Sequence, residues 1–364
     1  MQEIIVFITA AAFSSLLAPA TIRCATKWSF MDKPGARKIH VAPKPCLGGA
    51  VIFLSFLTTT LFFIPLSPKV LIILGGAVFY FILGLADDRQ SLPAGMKFVA
   101  EIIVSTIIVL LGIKYGYLLS NPFGQLGASF VWLSVPFYVF WIVGIANAVN
   151  LIDGLDALAS GVVLIACFVL SISALLIPVI SLNPLLLAIM GSLIGYIRFN
   201  LYPSKIIMGD NGSLFLGYLV AIISLVSYVN VDRSIFLSII PPAMALFVPI
   251  LDTTLAVIRR GLNGRKIFSP DQNHLHHHLL KNYSHPRAVH IIWILSFSFG
   301  MISVLLSYLI EKQVYIALTV LAIVCVWSLF SARQMGLFRH KVEKLPTQAA
   351  MDTVAISREK ESSA

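Results

Sequence analysis

Runs of about 20 apolar residues recur along almost the whole chain, and nothing else in it limits the fold as strongly. Hydrocarbon offers no water to backbone N–H and C=O groups, so runs of this length point to membrane-spanning helices that satisfy those groups internally. Eleven spans are expected, near residues 3–22, 47–65, 69–86, 98–116, 130–147, 158–180, 184–199, 212–230, 235–258, 288–310 and 314–332. Of the 364 residues 58% are apolar and only 12% charged, where a soluble domain carries about a quarter charged. The expected fold class is therefore all-α: a polytopic membrane helical bundle over residues 1–333, followed by a charged tail over 334–364 that lacks an apolar face and is expected to be partly disordered. Three prolines in SIIPPAMALFVPI should kink or break the ninth span.

The first run contains APA at 18–20, which resembles a signal-peptide cleavage site. Its leading residues, MQE, carry no Lys or Arg, and the basic residues follow the run, so it reads as a retained span entering from outside. Eleven spans place alternate loops on alternate sides. Of 26 Lys and Arg, only Lys69, Lys114, Arg233 and Lys312 then fall on one side; the other 22 lie in 23–46, 87–97, 198–211, 259–287 and from Arg333 onward. The positive-inside rule makes that second side cytoplasmic, with the N-terminus outside and the C-terminus cytoplasmic. The net charge of +10 is thus mostly topology, with some attraction for anionic membrane lipid and phosphorylated ligands, and no nucleic-acid partner is expected. Cys24, Cys46, Cys167 and Cys325 show no paired spacing, so neither a disulfide framework nor a cysteine metal site is expected.

The outward loops are too short to build a domain, and the unusual polar residues collect in the inward ones. The first inward loop, DKPGARKIHVAPKPCLGG, offers Arg37, Lys38 and His40 as donors to a phosphorylated ligand; a plain basic anchor accounts for its charge but not for its Pro and Gly. In GLADDRQSLPAGMKF, Asp87 and Asp88 are adjacent carboxylates at a span end, where like charges repel unless a cation or proton intervenes. Lys97 opens the next span, placed either to meet a lipid phosphate or simply to snorkel. In NAVNLIDGLDALASG, Asn147, Asn150 and Asp153 recur every three residues, and Asp153-Gly154 suggests a turn before Asp156; a helix cap explains one of these carboxylates, not both.

In RFNLYPSKIIMGDNGSLFLGY, Asp210 stands between glycines just before an apolar helix. The helix N-terminus there is expected to favour an anion, and a carboxylate beside it suits a Mg²⁺ carried by a phosphate. The fifth loop, IRRGLNGRKIFSPDQNHLHHHLLKN, supplies His274, His276, His277 and His278, better placed as donors to a diphosphate or sugar than as a zinc site, given the basic residues beside them. Asp252 is expected to pair with Arg259 or Arg260. The basic-residue count used no aspartate or histidine, yet it sets every one of these clusters on one membrane face.

GLADDRQS, NAVNLIDGLDALASG, MGDNGSLFLG and DQNHLHHH, in this order and spacing, resemble the polyprenyl-phosphate N-acetylhexosamine-1-phosphate transferases, from about Asp32 to His278. The resemblance implies an enzyme in which undecaprenyl phosphate attacks the sugar-linked phosphorus of a UDP-N-acetylhexosamine with Mg²⁺ present (Mn²⁺ is the alternative), releasing UMP. It implies Asp210 as the principal metal ligand, with Asp87 also at the metal. Asp87 is implied to act on the lipid phosphate with Asp88 beside it, and Lys97 to hold that phosphate. Asn150, Asp153, Gly154 and Asp156 would shape the nucleotide pocket, Asn200 would stand near the metal, and His274, His276 and His277 would face the diphosphate and sugar. Ser91 departs from relatives that carry a third acid there, and Ala157 from a frequent Gly. DQNHLHHH looks closer to the N-acetylglucosamine branch than to the muramoyl-pentapeptide branch, and loop insertions of dolichol-phosphate relatives are missing, which implies a bacterial lipid and the inner membrane. A homodimer is implied by the family alone. The rival from another class is a transporter, which would spread its acids along a path near the bilayer midplane rather than at helix ends.

Overall fold

A computed structural model describes residues 2–32, 43–118, 132–176, 182–228, 235–264 and 274–334. Nearly all of them are helical: α1 Gln2–Lys27, α2 Gly48–Phe63, α3 Pro68–Gln90, α4 Ala94–Lys114, α5 Val135–Ile152, α6 Leu158–Leu176, α7 Asn183–Asn200, α8 Asp210–Tyr228, α9 Ile235–Ser238, α10 Ile240–Ala245, α11 Phe247–Leu262, α12 Leu275–Leu280, α13 His285–Lys312 and α14 Val314–Gln334. A helix lies at each of the eleven expected runs. Among the described residues seven helices are long and apolar enough to cross a membrane, or eight with the ninth run counted as one bent span. α2 is shorter, at 16 residues, and α7 carries Arg198 near its end.

The centre of the bundle is α8, whose 19 residues are apolar almost all round and are fully enclosed along the span. It packs between α3 and α5, with α2 and α6 alongside. Close approach rests on glycine. A Cβ on Gly217 would lie 2.7 Å from Ala146 Cα of α5, and one on Gly84 of α3 would lie 2.2 Å from the Asp210 carbonyl oxygen. Without hydrophobic force between helices in lipid, such small-residue contacts and buried hydrogen bonds supply the packing. Tyr218 of α8 stacks on Tyr80 of α3 with centroids 4.7 Å apart and donates to the Ile73 carbonyl at 3.2 Å. At the edge, α1 lies along α7, with Ser14 donating to the Ser192 carbonyl at 2.7 Å.

The ninth run is broken as its prolines predict. α10 and α11 meet at Leu246, and the two halves of this run are bent by 98°. Pro241 falls in the first turn of α10 and Pro249 in that of α11, where a missing N–H costs little. α11 exposes Val257, Ile258 and Leu262 and buries Asp252, Leu255 and Arg259.

Two short strands, β1 Met31–Asp32 and β2 Lys44–Pro45, pair antiparallel between α1 and α2. The segment ahead of α8 docks beside them: Ile207 N–H donates to the Pro45 carbonyl at 2.8 Å, and Gly48 and Gly49 donate back to the Ile207 and Met208 carbonyls at 2.9 and 2.8 Å. This seam brings the loops ahead of α2 and α8 to one end of the bundle.

Candidate active site

At that end the ends of α3, α5 and α7 meet the starts of α4 and α8, and the acids of three separate loops converge. α3 stops because Ser91 turns left-handed (φ +49°), its N–H donating to the Asp87 carbonyl at 2.8 Å. The reversed chain brings the Leu92 N–H to Asp87 Oδ1 at 2.7 Å and lets α4 return with Lys97 facing α3. Lys97 Nζ donates to Asp87 Oδ2 at 2.7 Å and to Asp210 Oδ2 at 2.9 Å, so one ammonium bridges carboxylates from α3 and α8. Lys97 is therefore placed by the chemistry of the site and does not snorkel. The Asp210 side chain is the most open of the three, 32% exposed against 13% for Asp87.

Asp88 points the other way. Its carboxylate accepts the backbone N–H groups of Asp210 and Asn211, both at 2.9 Å, and the Asn211 side-chain amide at 2.6 Å. The N–H groups of Gly212 and Ser213 donate to the Gly209 carbonyl at 3.0 Å. This corrects one expectation: the start of α8 is not open to a substrate anion, because Asp88 already occupies it. The Cys46 thiol lies 3.9 Å from Asp88, and burial, reinforced by the Asp88 charge, pushes it far above the usual thiol range, so it stays protonated.

The turn after α5 forms at Asp153-Gly154 as expected. Asn150 donates to Ser213 of α8 at 2.9 Å, tying the turn to the start of that helix. The Asp153 carboxylate accepts no hydrogen bond from a described residue; burial, then the charges of Asp210, Asp88 and Asp156, raise its pKa well above the ordinary value. Asp156 behaves oppositely. Burial works to raise it, but the Ser204 N–H at 3.0 Å, the Ser204 hydroxyl at 2.8 Å and the Lys44 ammonium at 3.2 Å hold it below the usual range. Its own N–H donates to His285 Nε2 at 3.2 Å, and that ring stacks on Tyr202 with centroids 4.5 Å apart. Asp156 is thus a clasp joining three loops. Ala157 takes φ +65°, the left-handed region that favours glycine.

Asn200, expected near the metal, does a different job. Its Oδ1 accepts from the Ala157 N–H and the Ser160 hydroxyl, both at 3.1 Å, and its Nδ2 donates to the Ile206 carbonyl at 3.0 Å. Only 4% exposed, it staples the Asp153–Ala157 turn to the strand-like approach to α8.

The histidines arrive with α12, and α11 supplies the acid that holds the first of them. Asp252 holds His274 Nδ1 at 2.9 Å and the Leu275 N–H at 2.8 Å, so its partner is a histidine where an arginine was expected. His276 stacks parallel to His274 and close to His277, and its ring lies so near the turn that a Cβ on Gly154 would fall 2.4 Å from its Nε2. Burial, and then the neighbouring His277, push the His276 pKa down to about 3, so it is a neutral imidazole. Arg37, Lys38 and His40 lie outside the described residues.

Lys44, Ser204 and His285 escape the sequence reading. Lys44 is one basic residue among several in its loop, and nothing in spacing ties it to a carboxylate 112 residues away. Glu101 is fully buried on α4 one turn from Lys97, and the Asn147 side-chain amide donates to it.

Among the described residues the acids gather at helix ends around a lysine, with no chain of them across the bundle, an arrangement that suits a membrane enzyme handling anions at one face. Residues 70–228 match the family model of glycosyl transferase family 4. The chain is 35% identical to the probable undecaprenyl-phosphate N-acetylglucosaminyl 1-phosphate transferase of Bacillus subtilis (strain 168), covering 94% of both chains. It is 32% identical to the decaprenyl-phosphate N-acetylglucosaminephosphotransferase of Mycobacterium leprae (strain TN), over 74% of this chain and 75% of that one. With the phospho-N-acetylmuramoyl-pentapeptide-transferase of Staphylococcus carnosus (strain TM300) it shares 28%, over 82% and 96%. This chain belongs to glycosyl transferase family 4, among its polyprenyl-phosphate N-acetylhexosamine-1-phosphate transferases.

Proposed function

We propose that the protein transfers N-acetylglucosamine 1-phosphate from UDP-N-acetylglucosamine to undecaprenyl phosphate at the cytoplasmic face of a bacterial inner membrane, and so starts a cell-envelope polysaccharide. The observation that carries the reading is the Lys97 ammonium held between Asp87 and Asp210 on the open side of the site. A lipid phosphate oxygen forms a bond to the sugar-linked phosphorus, the bond from that phosphorus to the bridging oxygen breaks, and UMP leaves with the electron pair. Phosphoryl transfer asks for positioning and charge neutralisation more than for covalent help from protein. Lys97 neutralises the incoming phosphate, and Asp87 orients it; the phosphate is largely ionised at neutral pH and needs no strong base.

The residues present fit a Mg²⁺ or Mn²⁺ carried in with the diphosphate. Among the described residues no three His, Cys, Asp or Glu side chains form a ready-made cage, and Mg²⁺ commonly uses one or two carboxylates plus phosphate oxygens. Asp210 and Asp87 would hold it, and Asp153, whose carboxylate accepts no hydrogen bond from a described residue, feels the Asp210 charge beside them. When bound, the metal supplies charge neutralisation at the diphosphate. The Asp153–Ala157 turn, Lys44 and the histidines of α12 wall the nucleotide and sugar side. The exposed apolar side of α11 suits the polyprenyl chain.

Eleven spans with the N-terminus outside give the basic loops and this site one common, cytoplasmic side. A homodimer accompanies the reading through the family, and a size measurement in detergent tests it. The N-acetylglucosamine assignment rests on the names of the two more similar relatives; the muramoyl-pentapeptide reaction uses the same chemistry. Membranes containing the protein, incubated with undecaprenyl phosphate, Mg²⁺ and UDP-N-acetylglucosamine, should release UMP. Release only with UDP-muramoyl-pentapeptide would move the chain to that branch, and none with any UDP-sugar would sink the mechanism.

A further inference from the structure

Asp87 and Asp88 are adjacent in sequence, yet the helix turns their carboxylates to different tasks. Asp87 meets Lys97 on the open side, whereas Asp88 spends both oxygens on the first two amides of α8, at 2.9 Å each, and a third bond on Asn211 Nδ2 at 2.6 Å. With Gly212 and Ser213 donating to the Gly209 carbonyl, the four leading N–H groups of α8 are all occupied. A carboxylate normally caps a helix from its own chain end; here the cap comes from α3, 122 residues away.

Two glycines make the geometry available. Gly84, one turn before Asp88, lets α3 touch the Asp210 backbone, and Gly209 (φ +74°) leaves room for Asp88, since a Cβ there would stand 2.8 Å from Asp88 Oδ2. The residue whose backbone is gripped, Asp210, is the one whose side chain reaches Lys97. We propose that Asp88 is a positioning residue: by clamping the start of α8 it fixes the Asp210 carboxylate against Asp87 and Lys97, and it closes that helix end to the substrate's phosphates. The division of labour between the two acids rests on the transferase reading for what Asp210 does once it is held; the clamp itself does not.

The test uses the full-length protein in detergent or nanodiscs, with size exclusion as the check that each variant is folded. Amide hydrogen exchange should speed up by about tenfold or more at Asp210 and Asn211 in Asp88→Ala and stay unchanged in Asp87→Ala. Mn²⁺ binding, followed by electron paramagnetic resonance, should weaken about tenfold in Asp88→Ala by the same lost bonds. Asp88→Asn, which keeps one acceptor for the amides, should fall between. Formate, a free carboxylate able to bridge the two bared amides, should restore Mn²⁺ affinity in Asp88→Ala but not in Asp210→Ala. In turnover, the Mg²⁺ concentration for half-maximal rate should rise while KM for the UDP-sugar holds within about twofold. Unchanged exchange in Asp88→Ala overturns the clamp. So does an inactive Asp88→Ala whose exchange and Mn²⁺ affinity match the wild type, because Asp88 would then act on the reacting atoms. If exchange shifts as described but the wild type releases no UMP from any sugar, the clamp stands and the transferase reading falls.

Discussion

Single side chains at this site carry distinct loads, and substitution separates them. Asp210→Asn and Asp87→Asn each remove charge facing Lys97 and the diphosphate, and each should lower UMP release by on the order of 100-fold or more, the scale of losing one preorganised electrostatic contact. A chelator should suppress the wild type as fully, and a fully active Asp210→Asn enzyme would remove the metal assignment. Ser91 tests backbone rather than charge. It is exposed and left-handed, a conformation that costs an L-residue about 1–2 kcal/mol, while glycine gives back about 0.5–1 kcal/mol through the unfolded chain. Ser91→Gly should therefore raise the thermal midpoint slightly and Ser91→Val lower it; equal losses from both would refute the strain argument. The acids and Lys97 were legible because charge at a membrane helix end is costly and stands out. The finer roles were not. Asp88, Asn200 and Asp156 look as reactive as Asp87 in a sequence, and only their partners, 122, 43 and 48 residues away, reveal that they hold loops together.

Elements fix which groups meet, and here the sequence was strongest on helices and weakest on how they end. The turn at Asp153-Gly154 and the break in the proline-rich ninth run follow from local chemistry, so both were readable. That the start of α8 is closed was not, because its cap comes from another helix. The docking of α12 on that turn has a consequence in pH. Folded His276 remains neutral down to about pH 3, whereas an unfolded histidine takes up a proton near 6.5. Between these values the unfolded chain binds more protons, so stability falls as pH is lowered, by about 1.4 kcal/mol per unit below 6.5. Thermal melts at pH 7.5 and 5.5 should show a larger acid loss for wild type than for His276→Gln, by roughly 1 kcal/mol. An identical loss in both would mean that His276 is protonated in the fold.

For the whole molecule the strongest constraint is the split of basic residues, and it makes an experiment on topology as decisive as one on activity. The structure independently joins loops 43–49, 87–97, 153–157, 201–209 and 274–285 at one end of the bundle by hydrogen bonds such as Lys44–Asp156, Asp88–Asn211 and Asp156–His285. These are the loops that the charge count alone assigned to one side, and aspartate geometry and lysine counting share no input. If that end faces the cytoplasm, alkaline phosphatase fused after Pro65, after Leu182 or after Gln313 should be active, since it would be exported. Fusions after Gln90, Tyr202 or Asn263 should be inactive but fluoresce when the reporter is a green fluorescent protein. Activity after Gln90 would reverse the orientation and put the site on the side where UDP-sugars are absent, which no rearrangement of the acids could reconcile with a nucleotide-sugar donor. Mixed results along the chain would instead show that α2 at 16 residues, α7 with its Arg198 or the 98° bend at Leu246 fails to cross, and would revise the span count while leaving the cluster around Lys97 in place.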